Sequence, residues 1–331
     1  MSANLGNGGM PSATETLGTE TLGETSSSEA DPKLLEPDSD PGTTGEGDAA
    51  ETRPLIICFH GSGESCSPSW DALAHTLTAV PHRLRVLLYD RGILNPRPPQ
   101  ATAELREYLK SERLKGPCVL VAHSYGGAFA RTFLELEAEK DSGGDGNVEI
   151  VGMVLVETGQ EGGLDPEVEE SQYALRVLGT RPLSVVRGNS LLRQWADLEA
   201  AEASVSAKDG MKKEDLRQRR EMLKMYDAVD EQMKKKQLDL AAANAKKRYV
   251  HVPDCGHHVV RDRPDVVAGE IAWVLDNVGK VDKADGAVVG KDKRKDGNKG
   301  KEGRRTWEAG IKRIWRFCRD VTGKLLNKLG K

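Results

Sequence analysis

The sequence predicts an α/β fold: a mostly parallel central sheet with helices on both faces and a helical insertion, flanked by disordered tails. Three observations predict it. Between residues 53 and 279, six short apolar runs rich in branched residues alternate with segments of helical periodicity. The runs are nearly continuous in hydrophobicity instead of alternating with polar residues, as strands covered on both faces must be. At both ends the composition turns polar, Gly-rich and charged.

Taken in order, residues 1–52 hold Gly, Ser, Thr, Pro and acids, with Lys33 the only base and a net charge of roughly −10 by count. Such a segment buries too little apolar surface to offset the entropy of ordering, so it is expected to be disordered. Leu55–Phe59 is the first strand. Ser69 then serves as N-cap for a helix carrying Trp70, Leu73, Ala74 and Leu77 on one face. Arg85–Tyr89 is the second strand, followed by a helix marked by Leu105, Tyr108, Leu109 and Leu114. Cys118–Ala122 leads into a helix over Tyr125–Glu139, and Val148–Val156 and Leu183–Arg187 are the next two strands.

Residues 188–247 are long for a strand-to-strand connection. Candidate helices at Leu191–Ala203 and Glu214–Ala245 make this stretch a helical insertion or lid, although its density of Lys, Arg and Glu also suits a simple solvated face. Tyr249–Val252 is the last strand. Pro264, suited to a first helical turn, opens the final helix to Val278, with Val266, Val267, Ile271 and Val274 as its apolar stripe.

The overall charge of −4 hides a basic C-terminus of roughly +10 over 280–331 by count. Residues 280–303 read as a disordered charged linker and 304–331 as a basic amphipathic helix. Trp307, Ile311, Ile314, Trp315, Cys318, Val321, Leu325 and Leu329 form its apolar stripe. Such a helix suits peripheral attachment to an anionic membrane surface or a groove on a protein partner. The cysteines (Cys58, Cys66, Cys118, Cys255, Cys318) have neither metal-ligand spacing nor an even count, and are expected to be reduced. No basic start followed by an apolar run opens the sequence, and no stretch of eighteen apolar residues occurs, so a cytoplasmic body is expected. Neither a cofactor, a metal nor a nucleic-acid partner is indicated.

The chemistry gathers around Ala122-His123-Ser124-Tyr125-Gly126-Gly127, between a buried strand and an amphipathic helix. A serine on a sharp strand-to-helix turn projects its hydroxyl from the sheet edge, with the next N–H aimed at the same space. The run Gly116–Gly127 resembles the nucleophile elbow of esterase-like members of the α/β-hydrolase family. Phe59-His60-Gly61-Ser62-Gly63, Tyr89-Asp90-Arg91-Gly92, Val154-Leu155-Val156-Glu157 and Asp254-Cys255-Gly256-His257 are similar, in order, to further landmarks of that family. Ala122 departs from the usual glycine by one methyl. Gly61-Ser62-Gly63 lacks the spacing and lysine of a phosphate-binding loop.

The resemblance implies a serine hydrolase with Ser124 as nucleophile and His257 as base, His258 being its direct competitor. His60 and His123 would be structural neighbours. An oxyanion hole would use the backbone N–H groups of Ser62 and Tyr125. The family usually places its acid after the strand ending at Arg187, but Gly188-Asn189-Ser190-Leu191-Leu192-Arg193 contains no carboxylate. Glu157, directly after Val156, is the preferred acid, with Asp197, Asp227 and Asp230 as alternatives. The substrate expected is a small-molecule carboxylic ester or related acyl compound. The rival reading is a non-catalytic ligand-binding or receptor protein on the same scaffold.

Overall fold

Successive strand residues point to opposite sides of a sheet, so a strand whose every residue is apolar needs cover on both. The computed structural model, which describes residues 31–37, 53–91, 97–138, 148–159, 164–206 and 209–282, supplies that cover. The seven strands are β1 (Asp31–Leu35), β2 (Leu55–Phe59), β3 (Arg85–Asp90), β4 (Gly116–His123), β5 (Val148–Val156), β6 (Leu183–Arg187) and β7 (Lys247–His251). Their order in the sheet is β1-β3-β2-β4-β5-β6-β7; β1 runs antiparallel to β3 and every other pair is parallel.

Leu55, Ile57 and Phe59 enter one core, while Ile56 and Cys58 enter the other. The first core is closed by α2 (Pro98–Ser111) through Ala101, Leu105 and Leu109, and by α3 (Gly126–Ala138) through Phe129 and Phe133. The second is closed by α1 (Asp71–Thr78) through Trp70, Leu73 and Leu77, and by α8 (Pro264–Asp276) through Val267, Ile271 and Val274. The remaining helices are α4 (Pro166–Leu175), α5 (Leu192–Ser204), α6 (Gly210–Lys236) with a 3-10 turn at Gln237–Leu240, and the single turn α7 (Val259–Asp262).

Several expectations need correction. Asp31–Leu35, assigned to the acidic disordered tail, is an edge strand whose Leu34 and Leu35 pack against the two cores and whose neighbour Glu36 pairs with Arg85 at 3.3 Å. Two leucines suffice because an edge strand is short and tolerates Pro32 and Lys33. Ser69 does not cap α1: Trp70 holds that position, with no side-chain cap bond. Helix α4, capped by Asp165 and opened by Pro166, escaped the sequence reading, and the second insertion helix stops at Lys236 rather than running to Ala245.

The chain divides into two units, Met1–Lys283 and Ala284–Lys331, and the second lies wholly outside the described residues. So do Gly92, Glu139, Cys318 and the proposed basic helix at 304–331, as well as most of 1–52 and of the 280–303 linker. Cys58, Cys66, Cys118 and Cys255 are buried free thiols. No helix among the described residues is long and apolar enough to cross a membrane.

Candidate active site

The C-terminal rim of the parallel strands gathers the chemistry. Ser124 follows β4 at φ +55, and Glu157 follows β5 at φ +53, so both non-glycine residues occupy the left-handed region. That conformation costs on the order of 1 kcal/mol or more per residue and persists only where the surroundings impose it. For Ser124 the constraint is visible on both sides. Its N–H donates to Val156 O at 3.0 Å, and a Cβ on Gly126 would lie 2.1 Å from Phe59 O. Gly127 likewise leaves no room for a side chain against Thr158. Only glycine lets α3 start this close to the sheet.

Ser124 Oγ lies 3.1 Å from His257 Nε2, and His257 Nδ1 lies 3.1 Å from Glu157 Oε2. The imidazole thus bridges hydroxyl and carboxylate, with Nδ1–H as donor and Nε2 left to accept. His258 turns elsewhere, its Nδ1 3.4 Å from Glu64. Three contacts fix the backbone of the histidine loop. His123 Nε2–H donates to His257 O at 2.9 Å, the Asn189 N–H donates to Cys255 O at 2.6 Å, and a Cβ on Gly188 would stand 2.3 Å from Gly256 O.

Glu157 is fully buried yet well supplied with donors. It accepts from the Gly188 N–H at 2.7 Å and from the Ser190 hydroxyl at 2.6 Å, besides His257. Burial acts to raise its pKa, but the His257 bond, the Lys234 ammonium and the Ser190 hydroxyl outweigh burial and hold it at about 2. The carboxylate is therefore ionised at neutral pH. His123 behaves oppositely: burial, then the neighbouring His257, bring it down to about 3, so it is a neutral donor.

The loop after β2 approaches the same point. A Cβ on Gly61 would lie 3.3 Å from Ser124 Cβ. Arg91, itself buried, clamps this loop by donating to His60 O at 2.7 Å and Gly61 O at 2.6 Å, with its guanidinium 4.1 Å from the Phe129 ring centre. Ser62 is the next residue of that loop, and Tyr125 follows Ser124 at the start of α3. A cavity of about 30 Å³ adjoins Ser124, lined by Gly127, Ala128, Arg131, Thr158, Leu164 and Gln237 among others. It has room for about two waters. No cluster of His, Cys, Asp and Glu among the described residues could hold a metal ion.

A serine hydroxyl, an acceptor imidazole and an ionised acid, met at one sheet edge, form an arrangement suited to acyl transfer. Comparison with known families agrees at the level of the fold: a model described as the alpha/beta hydrolase family matches residues 56–270. The chain belongs to the α/β-hydrolase family.

Solved structures similar to it include MenH from S. aureus, 16% identical with a TM-score of 0.40 over 74% of this chain and 97% of that one. Est1E from Butyrivibrio proteoclasticus is 14% identical with a TM-score of 0.41 over 75% and 94%. A monoacylglycerol lipase from Paleococcus ferrophilus is 11% identical with a TM-score of 0.45 over 75% and 99%. No curated protein sequence matches the chain.

The alternative acids stand on the insertion helices. Asp197 is exposed on α5, and Asp227 and Asp230 on α6 pair with Arg187, the latter at 2.7 Å. Where α/β-hydrolases usually carry their acid, after β6, this chain provides Gly188 and Ser190 as donors to Glu157 instead. Ser190 and Lys234 were missed by the sequence reading, and Arg91 entered it only as part of the strand-end run Tyr89-Asp90-Arg91-Gly92. The strand-end positions of Ser190 and Arg91 were the available signals; nothing in the spacing of Lys234 announces a role.

Proposed function

We propose that this α/β-hydrolase is a serine hydrolase that cleaves a carboxylic ester or related acyl bond of a small molecule. Ser124 attacks the carbonyl while His257 Nε2 takes its proton; His257 then gives that proton to the leaving group, and water, activated by the same imidazole, releases the acyl group. Glu157 orients the imidazole and stabilises it as imidazolium. The N–H groups of Ser62 and Tyr125 receive the charge that develops on the carbonyl oxygen.

The observation that carries this reading is the unbroken line from Ser124 Oγ through both ring nitrogens of His257 to Glu157, at 3.1 Å on each side. A binding protein without catalysis does not require a strained serine, an acceptor nitrogen and an ionised buried acid in sequence.

Hydrolysis of a panel of p-nitrophenyl esters of increasing acyl length tests it. Ser124→Ala is expected to remove at least about 10⁴-fold of the activity, and Glu157→Gln a smaller but large share. Full activity in Glu157→Gln would transfer the acid role elsewhere, and full activity in Ser124→Ala would end the proposal.

A further inference from the structure

The helical insertion touches the site through a buried cation. Lys234, on the last turn of α6, is completely buried. Its Nζ donates to Thr158 O at 2.9 Å and lies 3.9 Å from Glu157 Oε1 and 3.7 Å from Asp230 Oδ1. Gln237, one residue past the helix, seals the same carbonyl: its amide donates to Thr158 O at 2.8 Å and accepts from the Thr158 hydroxyl at 2.5 Å. An ammonium is costly to strip of water and stays buried only where anions and carbonyls repay it. Here the anions are Glu157 and Asp230, and a helix C-terminus adds favourable potential.

We infer that Lys234 is a positioning residue for Glu157: the insertion supplies a fixed cation beside the buried carboxylate and, through Thr158 O, grips the backbone next to it. The inference rests on the triad reading above. It makes the C-terminal end of α6 a part of the site.

The groups around the pair alternate in sign. Arg187 on β6 pairs with Asp227 and Asp230; Asp230 faces Lys234; Lys234 faces Glu157; Glu157 holds His257, with His123 behind that ring, at 4.8 Å between centres, and His258 beside it. Deleting the Lys234 charge makes the potential at His257 more negative, so the imidazolium should hold its proton to higher pH. Deleting the Asp230 charge while Lys234 stays should do the reverse.

The pH dependence of fluorophosphonate labelling, measured on the full chain as wild type, Lys234→Met and Asp230→Asn, decides the matter without knowledge of the natural substrate. The acidic limb of the rate profile is expected to rise by about one pH unit in Lys234→Met and to fall in Asp230→Asn. A limb unmoved in Lys234→Met, even with a slower plateau, would reduce Lys234 to packing and overturn the inference. Should that variant fail to fold, an unmoved or raised limb in Asp230→Asn overturns it equally. A wild type that does not label overturns the triad reading itself, whereas labelling with static limbs overturns only the role of Lys234.

Discussion

Helices α1, α3 and α8 bury whole apolar faces against the sheet: Leu73 and Leu77, Phe129 and Phe133, Ile271 and Val274. Helix α6, the longest in the structure's described residues, buries Leu223 and two charged side chains, Asp230 and Lys234. The first group is held by area removed from water, which is non-directional and tolerates small adjustments. The second is held by charges that lose their hydration unless each finds its counter-ion. The sheet should therefore respond to changes of volume and the insertion to changes of charge.

The largest effect is expected at the elbow, where backbone meets backbone and nothing can yield. Gly126→Ala places a methyl carbon about 2.1 Å from Phe59 O, and should cost more than about 4 kcal/mol in urea unfolding or prevent folding. A variant of near wild-type stability would mean that α3 is not pressed against β2 as described.

Next, Arg187→Met removes the guanidinium from between Asp227 and Asp230 while keeping volume. A loss of about 3 kcal/mol is expected, with amide exchange accelerated in α6 before β4 and β5 are affected. Uniform acceleration throughout would erase the distinction between the two regions.

Smaller, and confined to acid, is the contribution of the neutral histidines at the rim. Burial and the Arg91 cation bring His60 down to about 3, and His123 is held at about 3 as well, against 6.5 when unfolded. A depressed native value means that the unfolded chain binds the extra proton, so stability is complete above pH 6.5 and is lost as pH falls toward 3. Each histidine should remove up to about 1.4 kcal/mol per pH unit below 6.5, or about 2 kcal/mol by pH 5. Glu157, lowered from 4.5 to about 2, adds its own loss only below about pH 4.5. Melting temperatures of wild type and His123→Asn between pH 7 and 5 check this: the slope should be shallower in the variant. Identical slopes would show that His123 is not a buried neutral donor.

The sheet was legible because burial on two faces leaves long apolar runs in the sequence, and Leu55–Phe59, Val148–Val156 and Leu183–Arg187 have in the structure the limits their runs suggest. Strand β1 was not, since two leucines inside an acidic segment disappear in its average composition. For the site, Ser124 and His257 could be nominated from strand-to-helix context and chain order, and Glu157 from its place directly after a buried strand. The supports of Glu157 could not. Lys234 and Ser190 reach it from different elements far along the chain, and a buried lysine on a helix crowded with exposed lysines has no local mark. Asp227 and Asp230 looked like spare acids for the same reason; their partner, Arg187, is visible only once β6 and α6 are packed.

Intact-protein mass spectrometry after fluorophosphonate treatment at neutral pH tests the central claim most directly. One adduct per chain is expected, mapping to the peptide that contains Ser124 and absent in both Ser124→Ala and His257→Ala. No adduct on the wild type, or an adduct that survives the loss of His257 undiminished, would contradict the account.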